Sequence, residues 1–299
     1  MTLTFRRKIV LTSAAVAFLM AILATPLLSA GADRPPGKSA EPDLVTLPPG
    51  ERFYRVAGDF QRNGKPAVAP ASVARIDRRL TIMKYQVTAA DYQRCAAEGA
   101  CARVSNDNPS DRPAVNVSWR DATAYAAWLS RKTGRHYRLT TDEEWAFAAG
   151  NRYRDDAVSL DSDDPSARWL ARYEAESNRK TGIDSRPKTL GHFGANEHGV
   201  FDLAGNVWEW TDTCFSRIAL GGGNAPATVN CGVRVVEGEH RTYVTDFIRD
   251  ARAGGCAAGI PPANLGFRLI REDLPWHRRI LPAGFIDEVT RLLSLRPSS

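Results

Sequence analysis

Apolar and polar positions alternate weakly from Val45 to Tyr54, around Pro48-Pro49-Gly50, and predict a strand beside a turn. Ile76 to Tyr85 reads as a second strand-like stretch. Thr88-Ala-Ala-Asp91 has the form of a capping box, with Asp in place of Glu, and starts a short helix through Tyr92 and Cys95 that stops at Gly99. Ser118-Trp-Arg-Asp121 gives another such start. Ala122, Tyr125, Ala126 and Leu129 then recur at helical spacing, and Gly134 supplies the stop. Thr141 caps a third helix, Asp142 to Ala149, ended by Gly150. Its acidic first turn (Asp142, Glu143, Glu144) suits the positive end of the helix dipole. Beyond Gly150 the helical period fades, Gly, Pro, Asn and Asp become dense, and only short strands are expected. Amphipathic spacing returns in Ile280, Phe285, Val289, Leu292 and Leu293, which predicts a C-terminal helical tail over 273–299.

The N-terminus bears on compartment. Arg6, Arg7 and Lys8 precede an almost wholly apolar run from Ile9 to Leu28, and Ser29-Ala30-Gly31-Ala32 offers small residues for cleavage. That is the layout of a signal peptide over residues 1–30, and it implies a periplasmic protein. Membrane attachment is expected only if the segment stays uncleaved. Residues 31–43, rich in Pro, Gly, Ser and charge, read as a linker. The 299-residue chain, 43% hydrophobic and 25% charged, is long enough to bury a sizeable core. Its net charge of +6 is spread along the chain without Lys/Arg blocks, which argues against a nucleic-acid partner. Export permits disulfides, and five cysteines (Cys95, Cys101, Cys214, Cys231, Cys256) leave at least one thiol unpaired within the chain. No phosphate-binding Gly loop, Ser/His/Asp order or zinc-type Cys/His spacing occurs.

Five segments, in order, resemble the formylglycine-generating enzyme (sulfatase-modifying factor) family. They are Met83-Lys-Tyr-Gln-Val-Thr-Ala-Ala-Asp-Tyr92, Pro113-Ala-Val-Asn-Val-Ser-Trp119, Arg138-Leu-Thr-Thr-Asp-Glu-Glu-Trp145, Gly199-Val-Phe-Asp-Leu-Ala-Gly-Asn-Val-Trp-Glu-Trp-Thr211 and Asn264-Leu-Gly-Phe-Arg268. The resemblance covers about residues 44–272. It implies an α+β, C-type lectin-like fold: a twisted, mostly antiparallel sheet, two main helices and much irregular structure. It also implies a structural calcium ion at the Trp-Glu-Trp loop, with Gly205, Val207 and Glu209 as ligands and Asn206 shaping the loop. A second calcium loop would begin near Asn178, where this chain is shorter. The resemblance further implies a disulfide between Cys95 and Cys101. Cys214 and Cys231 bracket a Gly/Asn/Pro-rich insertion and are expected to pair as well, leaving Cys256 free.

The chain departs from the family after Cys231. Active members carry a reactive cysteine pair there, and by alignment on Arg234–Val236 and Arg249 those positions fall on Tyr243 and Ile248. Neither side chain is a soft ligand for copper(I). Formylglycine synthesis by the family's route is therefore not expected. His240 stands where the family has a pocket serine, beside Glu239 and Arg241. His240, Arg241 and Cys256, with Tyr243 lining them, form the candidate working site, and an imidazole and a thiolate would suit copper or iron. Arg241 would lower the thiol pKa or hold an acidic substrate group. The bland alternatives are a hydrogen-bonded structural His240, an Arg241 paired with Glu239 or Asp246, and an inert Cys256. His192 and His198, six apart, give only a weak metal pair. Three functions compete: a maturation or accessory factor for a periplasmic redox system, with a copper nitrite reductase of denitrification as the nominated partner; a metal-dependent oxidoreductase on a small molecule or peptide; and a non-catalytic binding module.

Overall fold

The computed structural model describes residues 41–105, 109–154, 186–221, 227–250 and 264–273, with three isolated positions, 167, 170 and 174. The signal-peptide segment, most of the linker, the Asn178 loop, Cys256 and the helical tail beyond 273 lie outside the described residues. Among the described residues no helix is long and apolar enough to cross a membrane.

All three expected helices form where their caps sit. Thr88 Oγ1 accepts from the Asp91 amide and starts α1, Ala89–Ala97. Ser118 and Asp121 close a reciprocal capping box at the head of α2, Trp119–Thr133, which ends on Gly134 in the left-handed region. Thr141 and Glu144 do the same for α3, Asp142–Ala149. Each such cap contributes about 1 kcal/mol by satisfying amides that the first turn leaves open.

The first two sequence stretches each divide into two strands. Around Pro48-Pro49 the chain makes β1, Leu44–Leu47, and β2, Gly50–Arg55. β3, Asp59–Arg62, and β4, Lys65–Ala67, follow as a short hairpin. β5, Ala71–Ile76, pairs with β2, and β6, Leu80–Met83, leaves for another sheet. After α2 comes β7, His136–Leu139. The second half holds β8, Trp208–Leu220, β9, Thr228–Glu237, β10, Thr242–Thr245, β11, Leu265–Gly266, and β12, Leu269–Glu272. β8 and β9 span 13 and 10 residues, so the expectation of only short strands there is corrected. Register shifts interrupt their pairing, and those breaks mask the period-two pattern that a long strand would show.

One sheet has the order β1-β6-β12-β7 and is antiparallel throughout. A second runs β10-β9-β8-β3-β4, with parallel pairing of β3 and β11 to β8. The fold is α+β as expected. Among the described residues α1, α2 and α3 accompany three sheets whose pairing is mostly antiparallel, with parallel pairing confined to the partners of β8.

The four-stranded sheet is buried on both faces. β12 shows why: Leu269 joins Leu139, Tyr125, Trp128 and Phe267 in one core, while Ile270 joins Ile82, Leu80 and Trp145 in the other. Alternation of side chains along one strand thus feeds two cores. Complete burial of each such side chain is worth about 1.5–3 kcal/mol.

Candidate functional site

The Trp-Glu-Trp segment opens β8 and is almost wholly inaccessible. Glu209 is 1% exposed. Its Oε1 accepts from Gln86 Nε2 at 2.9 Å and from an Arg268 Nη at 2.7 Å. Its Oε2 accepts from Trp145 Nε1 at 3.1 Å and from Arg268 Nε at 2.7 Å. Arg268, itself fully enclosed, also donates to the Met83, Lys84 and Phe201 carbonyls. A buried carboxylate must be paired and hydrogen-bonded, and this one has both. The donor set does not fit calcium at the Glu209 side chain: all four contacts are donors, and a cation would sit against a guanidinium. Asn206 does shape its loop, since its side-chain amide clasps the Lys188 amide and carbonyl and its backbone sits at φ 67°. The Gly205 carbonyl faces Gln86 Nε2 at 3.5 Å, and Val207 is buried. Asp202, which the sequence reading passed over, is 0% exposed and accepts from the Gly191 and Phe193 amides at 2.6 and 2.8 Å.

The turn between β9 and β10 carries the substituted pocket. Gly238 is obligatory there, because a Cβ would fall 2.6 Å from the Trp208 ring. Trp208 Nε1 donates to the His240 carbonyl at 3.2 Å, and the His240 ring meets the indole edge-on at 5.4 Å between centroids. His240 is buried. Arg241 pairs with neither Glu239 nor Asp246, the partners considered from sequence. Its guanidinium binds Glu237 and, at 3.0 Å, Asp142 at the head of α3, and donates to the Arg55 carbonyl at 2.7 Å. Burial would lower its pKa, but Glu237 and Asp142 hold it well above the ordinary value. Burial, chiefly, pushes the Glu237 carboxyl well up, and the adjacent Asp142 adds to this while Arg241 opposes it. Arg241 is thus held as an internal clamp between Glu237, Asp142 and the Arg55 carbonyl. Tyr243 is a clamp too: its hydroxyl accepts from the Gly58 amide at 2.8 Å and donates to the Gly58 carbonyl at 3.2 Å. Burial pushes its pKa to about 12. Cys256 lies outside the described residues, so its relation to His240 is not part of this geometry. Among the described residues no three His, Cys, Asp or Glu side chains gather as a metal-binding group.

Ile248 packs on the core below an open pocket of about 390 Å³. Ser118, Asp121, Phe247 and Arg249 contribute to its walls. Arg249 forms a two-pronged pair with Asp121 at 2.7 and 2.9 Å, and Arg120 pairs with Asp246 at 2.9 Å. Burial would raise the Asp121 carboxyl, yet Arg249 and the Ser118 cap hold it below the usual range. Phe247 is 59% exposed at the rim.

Both expected disulfides are present, Cys95–Cys101 in the core and Cys214–Cys231 on the β8–β9 hairpin.

The profile of the family described as "Sulfatase-modifying factor enzyme 1-like domain" matches residues 31–273. The chain belongs to this family. Among similar members, "Inactive C-alpha-formylglycine-generating enzyme 2" of Mus musculus is 33% identical over 114 residues, 34% of this chain and 32% of that protein. "Formylglycine-generating enzyme" of Mycobacterium tuberculosis is 34% identical over 129 residues, 39% of this chain and 40% of that protein. The match thus spans about a third to two-fifths of these relatives' length. Among solved structures, "Structure of PvdO from Pseudomonas aeruginosa" superposes with a TM-score of 0.52 at 22% identity, covering 79% of this chain and 96% of that one. That likeness concerns the fold alone. This sulfatase-modifying-factor-like chain uses Glu209, Gln86, Trp145 and Arg268 as one buried knot. The sequence reading named the segments holding these residues but missed their mutual contact, because Gln86 and Arg268 are 182 positions apart.

Proposed function

We infer that this chain is a formylglycine-generating-enzyme-like protein that makes no formylglycine at the family pocket and acts as an exported accessory factor for another periplasmic protein. One observation carries the first half. The positions that the resemblance assigns to the thiol pair hold Tyr243, whose phenol is bound to the Gly58 backbone, and Ile248, which is packed on the core. Neither offers a thiolate or a soft metal ligand. The turn that bears His240 is fixed by the Glu237–Arg241–Asp142 cluster, an arrangement that favours a preformed binding surface over a mobile redox loop. The two disulfides are in keeping with an oxidising compartment. A copper-containing nitrite reductase is the nominated partner.

Two measurements test this reading. The mature protein, with and without added copper(I), is incubated with a cysteine peptide that an active family enzyme converts. Mass spectrometry should find no aldehyde, and any catalytic turnover refutes the reading. In a deletion strain, periplasmic nitrite reductase should lose copper or activity, and restoration should need only the intact chain. Unchanged copper content and activity would remove that partner. Stoichiometric iron or copper bound to the purified protein, lost in His240→Ala, would favour the oxidoreductase instead.

A further inference from the structure

The two disulfides sit in opposite environments. Cys95 and Cys101 are 0% and 7% exposed within the core that contains Tyr92 and Trp128. Cys231 is exposed and Cys214 half-buried on the outer part of the β8–β9 hairpin. The hairpin is irregular at that point. Cys214 pairs with Arg234, but the next residue, Phe215, pairs with Asn230. Cys231, Gly232 and Val233 are therefore three extra residues bulged out of register against β8. On the other side, Trp210 pairs with Val236, so Thr211 to Thr213 face Val235 alone and β8 carries two residues in excess. Two opposed irregularities flank the Cys214–Arg234 pair. Bulges of this kind re-aim side chains and recur beside functional groups.

Arg234 makes the site chemically unsymmetrical. Its guanidinium donates to Cys214 Sγ at 3.3 Å. It is held there by stacking on the Trp119 ring at 3.9 Å and by the Asp212 carbonyl and carboxylate at 2.8 and 3.2 Å. A fixed cation beside one sulfur stabilises that sulfur as a thiolate. In exchange, the sulfur that makes the better thiolate is the better leaving group.

We propose that Cys214–Cys231 is an exchangeable disulfide that oxidises a protein dithiol. A partner thiolate attacks the exposed Cys231 sulfur, and the Cys214–Cys231 bond breaks. Its electron pair leaves on Cys214 Sγ as a thiolate beside Arg234. The partner's second thiol, deprotonated, attacks the partner sulfur of the mixed disulfide and releases Cys231 as a thiolate. The partner dithiol loses two electrons and two protons and becomes a disulfide. This chain's disulfide gains two electrons and, as its thiolates take up protons, becomes a dithiol. Because Arg234 stabilises the reduced form, the bridge is a better oxidant than an isolated hairpin disulfide. This chemistry lies on β8 and β9 and is separate from the Tyr243 and Ile248 positions.

The test uses the full mature chain, with dithiothreitol and glutathione as the probes and alkylation with peptide mapping as the readout. Cys214–Cys231 should be reduced at least about tenfold faster than Cys95–Cys101, which also reports whether the fold is intact. Arg234→Gln should slow reduction of Cys214–Cys231 alone, by about three- to tenfold, because the leaving thiolate loses its adjacent cation. Arg234→Lys should keep most of the rate. With glutathione, the trapped intermediate should carry glutathione on Cys231 and the alkyl label on Cys214. This regiochemistry is read on the unaltered protein, so it stands even if the variants fold poorly. Equal reduction rates for the two bridges, an Arg234→Gln rate equal to the parent's, or glutathione found on Cys214 would each overturn the proposal.

Discussion

Replacing Arg268 by Met tests whether the buried knot is an ion pair or a cation site in waiting. Arg268 and Glu209 are 0% and 1% exposed, and the guanidinium supplies two of the four hydrogen bonds that the carboxylate accepts. Methionine fills much of the same volume but leaves Glu209 with only Gln86 Nε2 and Trp145 Nε1. It also leaves the Met83, Lys84 and Phe201 carbonyls without the donors they now have. Breaking a buried pair from one side costs about 3–5 kcal/mol, because the remaining charge is uncompensated. For a domain of this size each kcal/mol moves the melting temperature by about 2–4 °C, so Arg268→Met should lower it by about 6–20 °C. Glu209→Gln in the same background should recover part of the loss, with a coupling energy of about 1–3 kcal/mol. The assay is thermal unfolding followed by circular dichroism, with and without a calcium chelator. The chelator should leave the parent's curve unchanged. A loss below about 1 kcal/mol in Arg268→Met, or chelator sensitivity that disappears in Glu209→Gln, would refute the reasoning and restore a cation at this loop.

Gly238→Ala should displace Trp208 or unfold the β9–β10 turn, since the added Cβ meets the indole at 2.6 Å; the expected loss is about 1–3 kcal/mol, read as a fall in melting temperature with altered tryptophan fluorescence. The Arg138–Glu144 pair sets part of the acid limb: burial would raise Glu144, but Arg138 holds it below the usual carboxylate value. Its contribution is complete above the unfolded carboxyl value, near pH 4.3, and is lost as pH falls through the lower folded value. Glu144→Gln should therefore be less stable near neutrality and lose less on acidification in a pH series of melting curves; identical acid limbs would contradict this.

The local half of the fold was legible because caps are short-range signals. Thr88, Ser118 and Thr141 each declare a helix start within four residues, and Gly99, Gly134 and Gly150 declare the ends. The strands of the second half were less legible. The register breaks around Cys214 and Cys231 erase alternation, and β11 has only two residues. For the site, sequence located His240 and Arg241 but not the partners of Arg241. Asp142, Glu237 and the Arg55 carbonyl come from three separate elements, and contact between them is a property of packing that no local pattern records. Both disulfides were legible from spacing and resemblance. The bulge that distinguishes Cys214–Cys231 from Cys95–Cys101 was not.

The place of β12 in its sheet has a consequence for how the chain becomes a protein. Four residues near position 270 lie between β6 and β7, and each neighbour must wait for them. During vectorial synthesis, β1, β6, α2 and β7 emerge long before the strand that joins them. Neither core can close, and Glu209 remains without its guanidinium, until residues 268–272 have been made. Completion of both cores therefore waits on long-range pairing, which slows folding. A chain cut short before residue 268 lacks both the strand that joins β6 to β7 and the guanidinium that pairs with Glu209.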